Sequence, residues 1–407
     1  MQDRHSHADG IPSFRTPTKA STARRVARVL LSGASERVAG ARAASAEEVP
    51  RSPEAIEAAW LTAVLCARTP GARVTSVRRG AGYSGTTTRR ALELGYNDAG
   101  VAAGLPTKLF AKCTTTAAQR LMLGMGGLLY GEPGFYSLVR PQLRVEAPIG
   151  YFGAVDRDSW RSVVLIEDVV ATRAASFWVP STGLTRGQIE NLLSSVAGWH
   201  GKLLGSAGLA RWRWLKTPAQ QMALIDALIG LANRIPVGAE RATGVIPPRM
   251  RHRQADLYAA MRRSMAISSQ GTHTYLHGDL HVANTYVLPG GQMGVVDWQV
   301  GLRGSWAHDY SYIVATALEI GDRRAWEGQL LDFYLERLAA AGGERIPREK
   351  AWNAYRSALF YPYFAWVYTM GRSRLQPNFA PEKVSLTMIQ RISTAIDDLD
   401  SLRVVSP

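Results

Sequence analysis

Asp279, Asn284 and Asp297 fall in one short stretch of the chain, between His277 and Asp309. Two carboxylates and an amide oxygen so close in sequence suit two kinds of chemistry. A carboxylate can orient a hydroxyl and take its proton, the work of a general base. An Asp and an Asn oxygen also suit Mg²⁺, a hard cation that takes oxygen ligands and completes its shell with phosphates and water. Asp279 is the candidate base. Asn284 and Asp297 are the candidate metal ligands, and Asn284 also joins Asp279 in the catalytic set. His277, two residues before the base, is read as ordering the loop. Asp309 precedes an apolar helical pattern, where a capping or loop-bracing role is expected. Any one of these Asp residues alone reads as a cap or a turn. The combination His277-Gly278-Asp279, Asn284 and Val295-Val296-Asp297-Trp298 carries the inference.

These side chains need elements to hold them. Pro289-Gly290-Gly291-Gln292 is a turn signal between two apolar runs, Tyr286–Leu288 and Met293–Val296. That predicts a β-hairpin bringing Asn284 and Asp297 together. Upstream, Leu109–Cys113 alternates as a strand and carries Lys112, one of only seven lysines. Beside a glycine-rich turn such a Lys can reach phosphates; alone it would read as an edge-strand charge. Gly80, Gly82 and Gly85 have GxGxxG spacing, which lets backbone N–H groups approach phosphate. A strand pattern follows them, so a flap between antiparallel strands is expected and a dinucleotide fold is not. Glu132 is the candidate ion-pair partner of Lys112, although Pro133 and Gly134 disfavour a helix interior there. Glu146, at the start of a strand pattern, is a poorer candidate.

The 407 residues are 46% hydrophobic, enough for a sizeable core in two or three lobes. Cys66 and Cys113 are the only cysteines, which rules out a disulfide scaffold or a Cys-based zinc site. The net charge of +15 is carried by Arg and fits anionic ligands such as nucleotides, although compositional bias explains it as well. No signature of specific nucleic-acid recognition is present. No run approaches a membrane span and no secretory signal is seen, so a cytoplasmic location is expected.

Residues 1–50 read as a disordered basic tail with one short helix; an organelle transit peptide has similar composition. Residues 51–168 read as a small mixed lobe that binds nucleotide. It holds a helix near 54–68, the glycine flap, the Lys112 strand, and strands at 145–155 and 160–167. Residues 169–407 read as a larger helical lobe carrying catalysis and the acceptor site. Its first long helix opens on a capping box, Thr185 with Gln188. Residues 207–250 are helices and loops without a legible role. The fold class is therefore α+β, a small antiparallel-sheet lobe followed by a larger helical one.

These motifs resemble the aminoglycoside phosphotransferase and choline-kinase superfamily, whose fold is protein-kinase-like. The run from His277 to Asn284, the Val295–Gln299 segment and the Asp309-Tyr310-Ser311-Tyr312 helix start look most like the ecdysteroid kinase-like branch and its bacterial relatives. The Gly80–Gly85 loop, Phe110-Ala111-Lys112, Glu132 with Phe135-Tyr136, Leu165–Asp168 and Val196–His200 are similar to further family segments, over roughly 55–400. The resemblance implies transfer of the γ-phosphate of ATP, with Mg²⁺, to a hydroxyl of a small-molecule acceptor. It implies Asp279 as base, Asn284 and Asp297 on Mg²⁺, and Lys112 on the phosphates. Backbone groups of Glu167, Asp168 and Val169 would hold adenine.

Two alternatives stand beside an ATP-dependent small-molecule kinase. A pseudokinase scaffold would show a degraded catalytic set, whereas Lys112, Asp279, Asn284 and Asp297 are all present. An antibiotic phosphotransferase acting on polycations would need clustered carboxylates, for which Asp397, Asp398 and Asp400 are candidates, although they also read as a solvated helix face. Phe360, Tyr361, Tyr363, Phe364, Trp366 and Tyr368 read first as lobe core and second as contacts for an apolar acceptor. Oligomeric state does not follow from the sequence.

Overall fold

A computed structural model describes residues 23–32, 43–178, 182–372 and 380–406. The rest of the tail expectation, on 1–22 and 33–42, lies outside the described residues. The chain forms two compact units. One comprises the described residues up to Leu143 with Pro148–Ala175; the other comprises Arg144–Ala147 with the described residues from Ser176 onward.

The first unit is built on a five-stranded antiparallel sheet. Its strands are β1 (Val74–Ser84), β2 (Thr88–Tyr96), β3 (Lys108–Cys113), β4 (Gly150–Val155) and β5 (Ser162–Glu167), in the order β1-β2-β3-β5-β4. Alternation decides its faces. Leu92, Leu94, Leu109, Ala111, Cys113, Val163 and Leu165 point one way and pack with Ile56, Trp60 and Leu61 at the helix Ala58–Leu65. Residues 23–32 are helical, and Val29 packs with Leu123, Leu129 and Trp160.

The 145–155 strand expectation is corrected at its start. β4 begins only at Gly150, and Arg144–Ala147 belong to the other unit. Pro148 has no N–H for a sheet ladder, which separates the two segments. Glu146 accordingly lies outside any strand; its carbonyl accepts from Val295 N–H at 3.0 Å and its carboxylate from the Tyr286 hydroxyl.

The second unit is mainly helical. The expected hairpin is β8 (Thr285–Val287) with β9 (Met293–Val295), antiparallel, with β6 (Ser176–Phe177) alongside β8. A separate pair joins β7 (Thr274–Leu276) to β10 (Leu302–Gly304). The helix Arg186–Leu203 opens on the Thr185–Gln188 capping box. Thr217 and Gln220 form a second box, unread in the sequence, that starts Pro218–Ile229 in the 207–250 segment. The helix Ala307–Ala317 is buried along its whole length, and its first turn carries Asp309. Among the described residues no single helix is long and apolar enough to cross a membrane.

Candidate active site

In the second unit the chain leaves β7 at Leu276 and enters the loop His277–His281. The Asp309 carboxylate grips the start of that loop. Its two oxygens accept from the His277 amide at 2.6 Å and the Gly278 amide at 2.9 Å. His200 Nε2 lies 3.3 Å from the same carboxylate, and Tyr334 hydroxyl lies 2.7 Å from His200 Nδ1. Burial alone would raise the Asp309 carboxyl. The His200 hydrogen bond, with charge from His200, His308 and His277, outweighs it and holds the group below its ordinary value. Gly278 has φ +81°, and a Cβ there would sit 2.8 Å from the Val300 carbonyl, so this turn requires glycine.

His277 is fully buried. Its Nε2 lies 2.9 Å from the Val296 carbonyl, which must accept, so Nδ1 is left to accept from the Asp279 amide at 3.3 Å. Burial lowers its pKa despite the surrounding carboxylates. The ring thus links the Asp279 amide to the Val296 carbonyl.

The hairpin brings the polar residues together. The Val296 amide donates to the Asn284 carbonyl at 2.9 Å, immediately before Asp297. Asn284 Nδ2 donates to the Asp279 carbonyl at 2.9 Å. That bond fixes the side-chain amide with its nitrogen on the loop and its oxygen turned the other way, as a cation ligand requires. Asp297 has left-handed backbone (φ +65°, ψ +56°), unusual for a non-glycine residue. Fully buried Trp298 follows it, its ring 5.3 Å from Trp199 and 4.7 Å from His277, and anchors the turn.

The Asp279 side chain keeps 28% exposure, with His281 Nε2 at 3.7 Å. Burial would raise its carboxyl, but His281 and then His277 hold it below its ordinary value, against opposition from Asp297. The loop is flanked by aromatic rings. His281 packs 5.2 Å from Trp366 and 5.7 Å from Tyr312, and Tyr312 lies 6.0 Å from Tyr361. His281 Nδ1 and Trp366 Nε1 are buried and lack a hydrogen-bond partner among the described residues. The aromatic helix thus divides. Phe360, Tyr363 and Phe364 are core, while Trp366 and Tyr361 reach the surroundings of the loop.

The other candidate residues lie in the first unit. Lys112 is 5% exposed and its Nζ lies 2.6 Å from Glu132 Oε1. Pro133 does not prevent this. The helical turn Gly131–Gly134 starts at Gly131, so Pro133 falls where helix N–H groups have no intrahelical acceptor anyway. Glu132→Gln keeps the shape and removes the charge opposite a buried ammonium. It should cost roughly 3 kcal/mol, read as a lower urea midpoint at unchanged slope; an unchanged midpoint would show that the pair contributes nothing.

Gly80 and Gly82 lie within β1 beside a bulge, and Gly85 is at the hairpin tip before β2. A Cβ on Gly82 would sit 2.4 Å from the Arg89 carbonyl, so only glycine allows β1 to close on β2 here. The tip is tied down by a residue the sequence reading passed over. Gln119 Nε2 donates to the Gly85 carbonyl at 2.9 Å and to Ser84 Oγ at 3.1 Å. Its signal was present: Thr116 and Gln119 form a capping box that opens Ala117–Met125.

At Glu167–Val169 two of the three backbone amides are used within the fold. The Glu167 amide donates to the Ile149 carbonyl (2.8 Å) and the Asp168 amide to the Lys108 carbonyl (3.3 Å). Val169 opens the helical turn Val169–Arg173, whose first amides intrahelical bonding leaves over. The Glu167 carboxylate accepts from Thr172 and Arg173.

The profile of the phosphotransferase enzyme family matches residues 135–352, more than half of the 407-residue chain. No curated protein matches at a significant level. Among solved structures the chain is similar to a macrolide 2'-phosphotransferase from Brachybacterium faecium, at 16% identity and TM-score 0.41 over 77% of this chain and 94% of that one. It is similar to a microcompartment-associated aminopropanol kinase at 14% identity and TM-score 0.45, covering 80% and 92%. A choline kinase from Streptococcus pneumoniae matches at 11% identity and TM-score 0.44, covering 80% and 94%.

Proposed function

The chain belongs to the phosphotransferase enzyme family, and from that premise we propose that it moves the γ-phosphate of ATP, bound with Mg²⁺, to a hydroxyl of a small, largely apolar molecule. The observation that carries this reading is the braced loop. Asp309 clamps the two amides ahead of Asp279, and Asn284 is hydrogen-bonded to the Asp279 carbonyl. Phosphoryl transfer asks a protein for positioning and charge neutralisation more than for covalent chemistry. Asp279, ionised and partly exposed, orients the acceptor hydroxyl and takes its proton. Lys112, steadied by Glu132, neutralises phosphate charge. The Gly80, Gly82 and Gly85 segment offers backbone N–H groups to the phosphates, and the Glu167–Val169 segment, through Val169, offers the adenine contact.

Asn284 and Asp297 supply the oxygens for Mg²⁺. Among the described residues no group of three or more His, Cys, Asp or Glu could hold a metal. A two-residue oxygen set suits a cation that borrows its remaining ligands from nucleotide phosphate and water. When bound, Mg²⁺ screens the negative charge on the phosphates.

The surroundings of Asp279 support this choice of acceptor. Buried Tyr312, Tyr361 and Trp366 make the packing around Asp279 aromatic, and Trp366 Nε1 and His281 Nδ1, without a hydrogen-bond partner among the described residues, are the polar contacts we assign to a hydroxylated apolar compound. A polycationic antibiotic finds less to bind. Asp397 is paired with Arg249, Asp398 with Arg323 and Arg324, and Asp400 with Arg403. We read Asp297-Trp298-Gln299 and the Tyr310–Tyr312 helix start as marks of the ecdysteroid kinase-like branch, and a cytoplasmic setting goes with ATP use.

The test is incubation of the full chain with Mg-ATP and a panel of sterol-like and lipid-like alcohols beside aminoglycosides, read by mass spectrometry for an added phosphate. Product is expected on an apolar alcohol and is lost on chelation of the metal. Phosphorylated aminoglycoside without any apolar product overturns the acceptor assignment. ATP turnover that persists in full chelator overturns the metal role.

A further inference from the structure

Two rings of the helix Phe360–Met370 tie it to the surroundings of Asp279. Tyr361 lies 4.5 Å from His308 and 6.0 Å from Tyr312, between ring centres. Trp366 lies 5.2 Å from His281, whose Nε2 is 3.7 Å from the Asp279 carboxylate. Five residues apart, these two side chains leave the helix about 140° apart. Ala365 falls between them, about 40° from Tyr361, and Thr369 follows at about 80°.

The burial pattern marks the same side. Eight of the eleven residues of this helix are buried; the other three, Ala365, Tyr368 and Thr369, are partly exposed. Those three share an arc of about 100°. Elsewhere the helix packs on Leu231–Arg241, Gln254–Ser268 and Glu382–Asp398. Ala365 is the smallest side chain in the helix. A small side chain on a packed helix ordinarily admits a close neighbour. Ala365 stays partly exposed, so no neighbour among the described residues fills the space it leaves.

The walls of that space carry donors. Trp366 is 6% exposed, and its Nε1 has no hydrogen-bond partner among the described residues. An indole N–H can only donate, and a buried donor left unmade is costly. The Thr369 hydroxyl is used within the helix, donating to the Ala365 carbonyl at 2.8 Å. Burial, with the nearby Asp279 charge, raises the Tyr361 and Tyr368 phenols, so both keep their protons at neutral pH.

Resting on the acceptor reading above, we propose that Ala365 is the floor of the acceptor slot and sets its specificity, admitting a flat, largely apolar ring between Tyr361 and Trp366 with its hydroxyl toward Asp279. A second oxygen on that ring accepts from Trp366 Nε1. The class is a ring alcohol carrying one further hydrogen-bond acceptor; a straight-chain alcohol uses the slot less.

The experiment uses the full chain with Mg-ATP and two probes, a sterol-like fused-ring alcohol and 1-octanol, with phosphate transfer read by mass spectrometry. Ala365→Phe fills the slot. Its kcat/KM on the ring alcohol should fall about 10- to 100-fold, octanol should lose less, and ATP affinity by calorimetric titration should be unchanged. Ala365→Cys guards against a folding fault. Cys66 and Cys113 are buried, so the introduced thiol can be labelled after folding, with a methyl or a benzyl thiosulfonate. The benzyl label should cut ring-alcohol transfer more than the methyl label, at unchanged melting temperature. Trp366→Phe keeps a ring and loses the N–H; it should raise KM for the ring alcohol about five- to tenfold with kcat little changed. If the parent phosphorylates the ring alcohol and both Ala365→Phe and the benzyl-labelled protein match it, the slot falls alone and the acceptor reading stands. If the parent phosphorylates neither alcohol, the apolar-acceptor reading falls and the slot with it. An unreactive thiol at position 365, or equal losses on both alcohols, also overturns the slot, because the first shows a closed surface and the second a general structural role.

Discussion

Asp279→Asn is expected to lower kcat for phosphoryl transfer by about 10³-fold or more while ATP binding stays within about twofold of the parent, a difference too small to count as a lost contact. The substitution is nearly isosteric, so the loop should keep its shape: its hold comes from Asp309 on the His277 and Gly278 amides and from Asn284 on the Asp279 carbonyl. What disappears is the negative charge and the proton acceptor. In the parent the carboxylate is kept ionised because His281 and His277 overcome burial. An amide in its place can still accept a hydrogen bond from the acceptor hydroxyl but cannot take its proton. Nucleotide affinity should survive because the proposed phosphate and metal contacts, at Lys112, Asn284 and Asp297, are untouched. The measurement is single-turnover transfer beside equilibrium ATP titration. A kcat within threefold of the parent would remove Asp279 from the chemistry.

Asp309→Ala should be the most damaging change to stability. It leaves two buried backbone amides and the His200 ring without their acceptor. Buried donors stripped of a charged partner cost about 3–5 kcal/mol. At roughly 2–4 °C per kcal/mol for a unit of this size, Tm should fall by about 10 °C. The loop carrying Asp279 should lose its geometry, so kcat falls as well. Acid titration gives a second signature. The folded-state pKa of Asp309 is lowered, so its stabilising contribution is complete above the ordinary carboxylate range. That contribution is lost as pH falls through the lowered folded value. The stability gap between parent and Asp309→Ala should therefore be constant near neutrality and narrow in acid. Equal melting of the two proteins at neutral pH would dismiss the brace.

The part of the site legible from the residues alone is the part built by short-range rules. The turn at Pro289–Gln292 and the apolar runs around it specify β8 and β9, which bring Asn284 beside Val296 and Asp297. Thr185 with Gln188 marks a helix start, and the alternation of Leu109–Cys113 specifies the Lys112 strand. All of these depend on hydrogen bonds or side-chain periodicity within a few residues, and such patterns are written locally.

Other features depended on packing between distant segments. Pro133 argued against a Glu132 pair with Lys112, yet the helical turn begins two residues earlier and the pair forms. Glu146 read as the start of a strand and instead joins the hairpin of the second unit. Asp309 could be read as a cap, but its grip on His277 and Gly278 spans about thirty residues of sequence and appears only when the helix Ala307–Ala317 is buried against the loop. Gln119 was visible as a capping residue; its second role, at Gly85, needs β1 and β2 to fold back over it. The chain by itself therefore determined which residues carry chemistry and which local elements present them. Tertiary structure decided their partners, because strand register and helix packing bring together groups whose separation along the chain leaves no periodic trace.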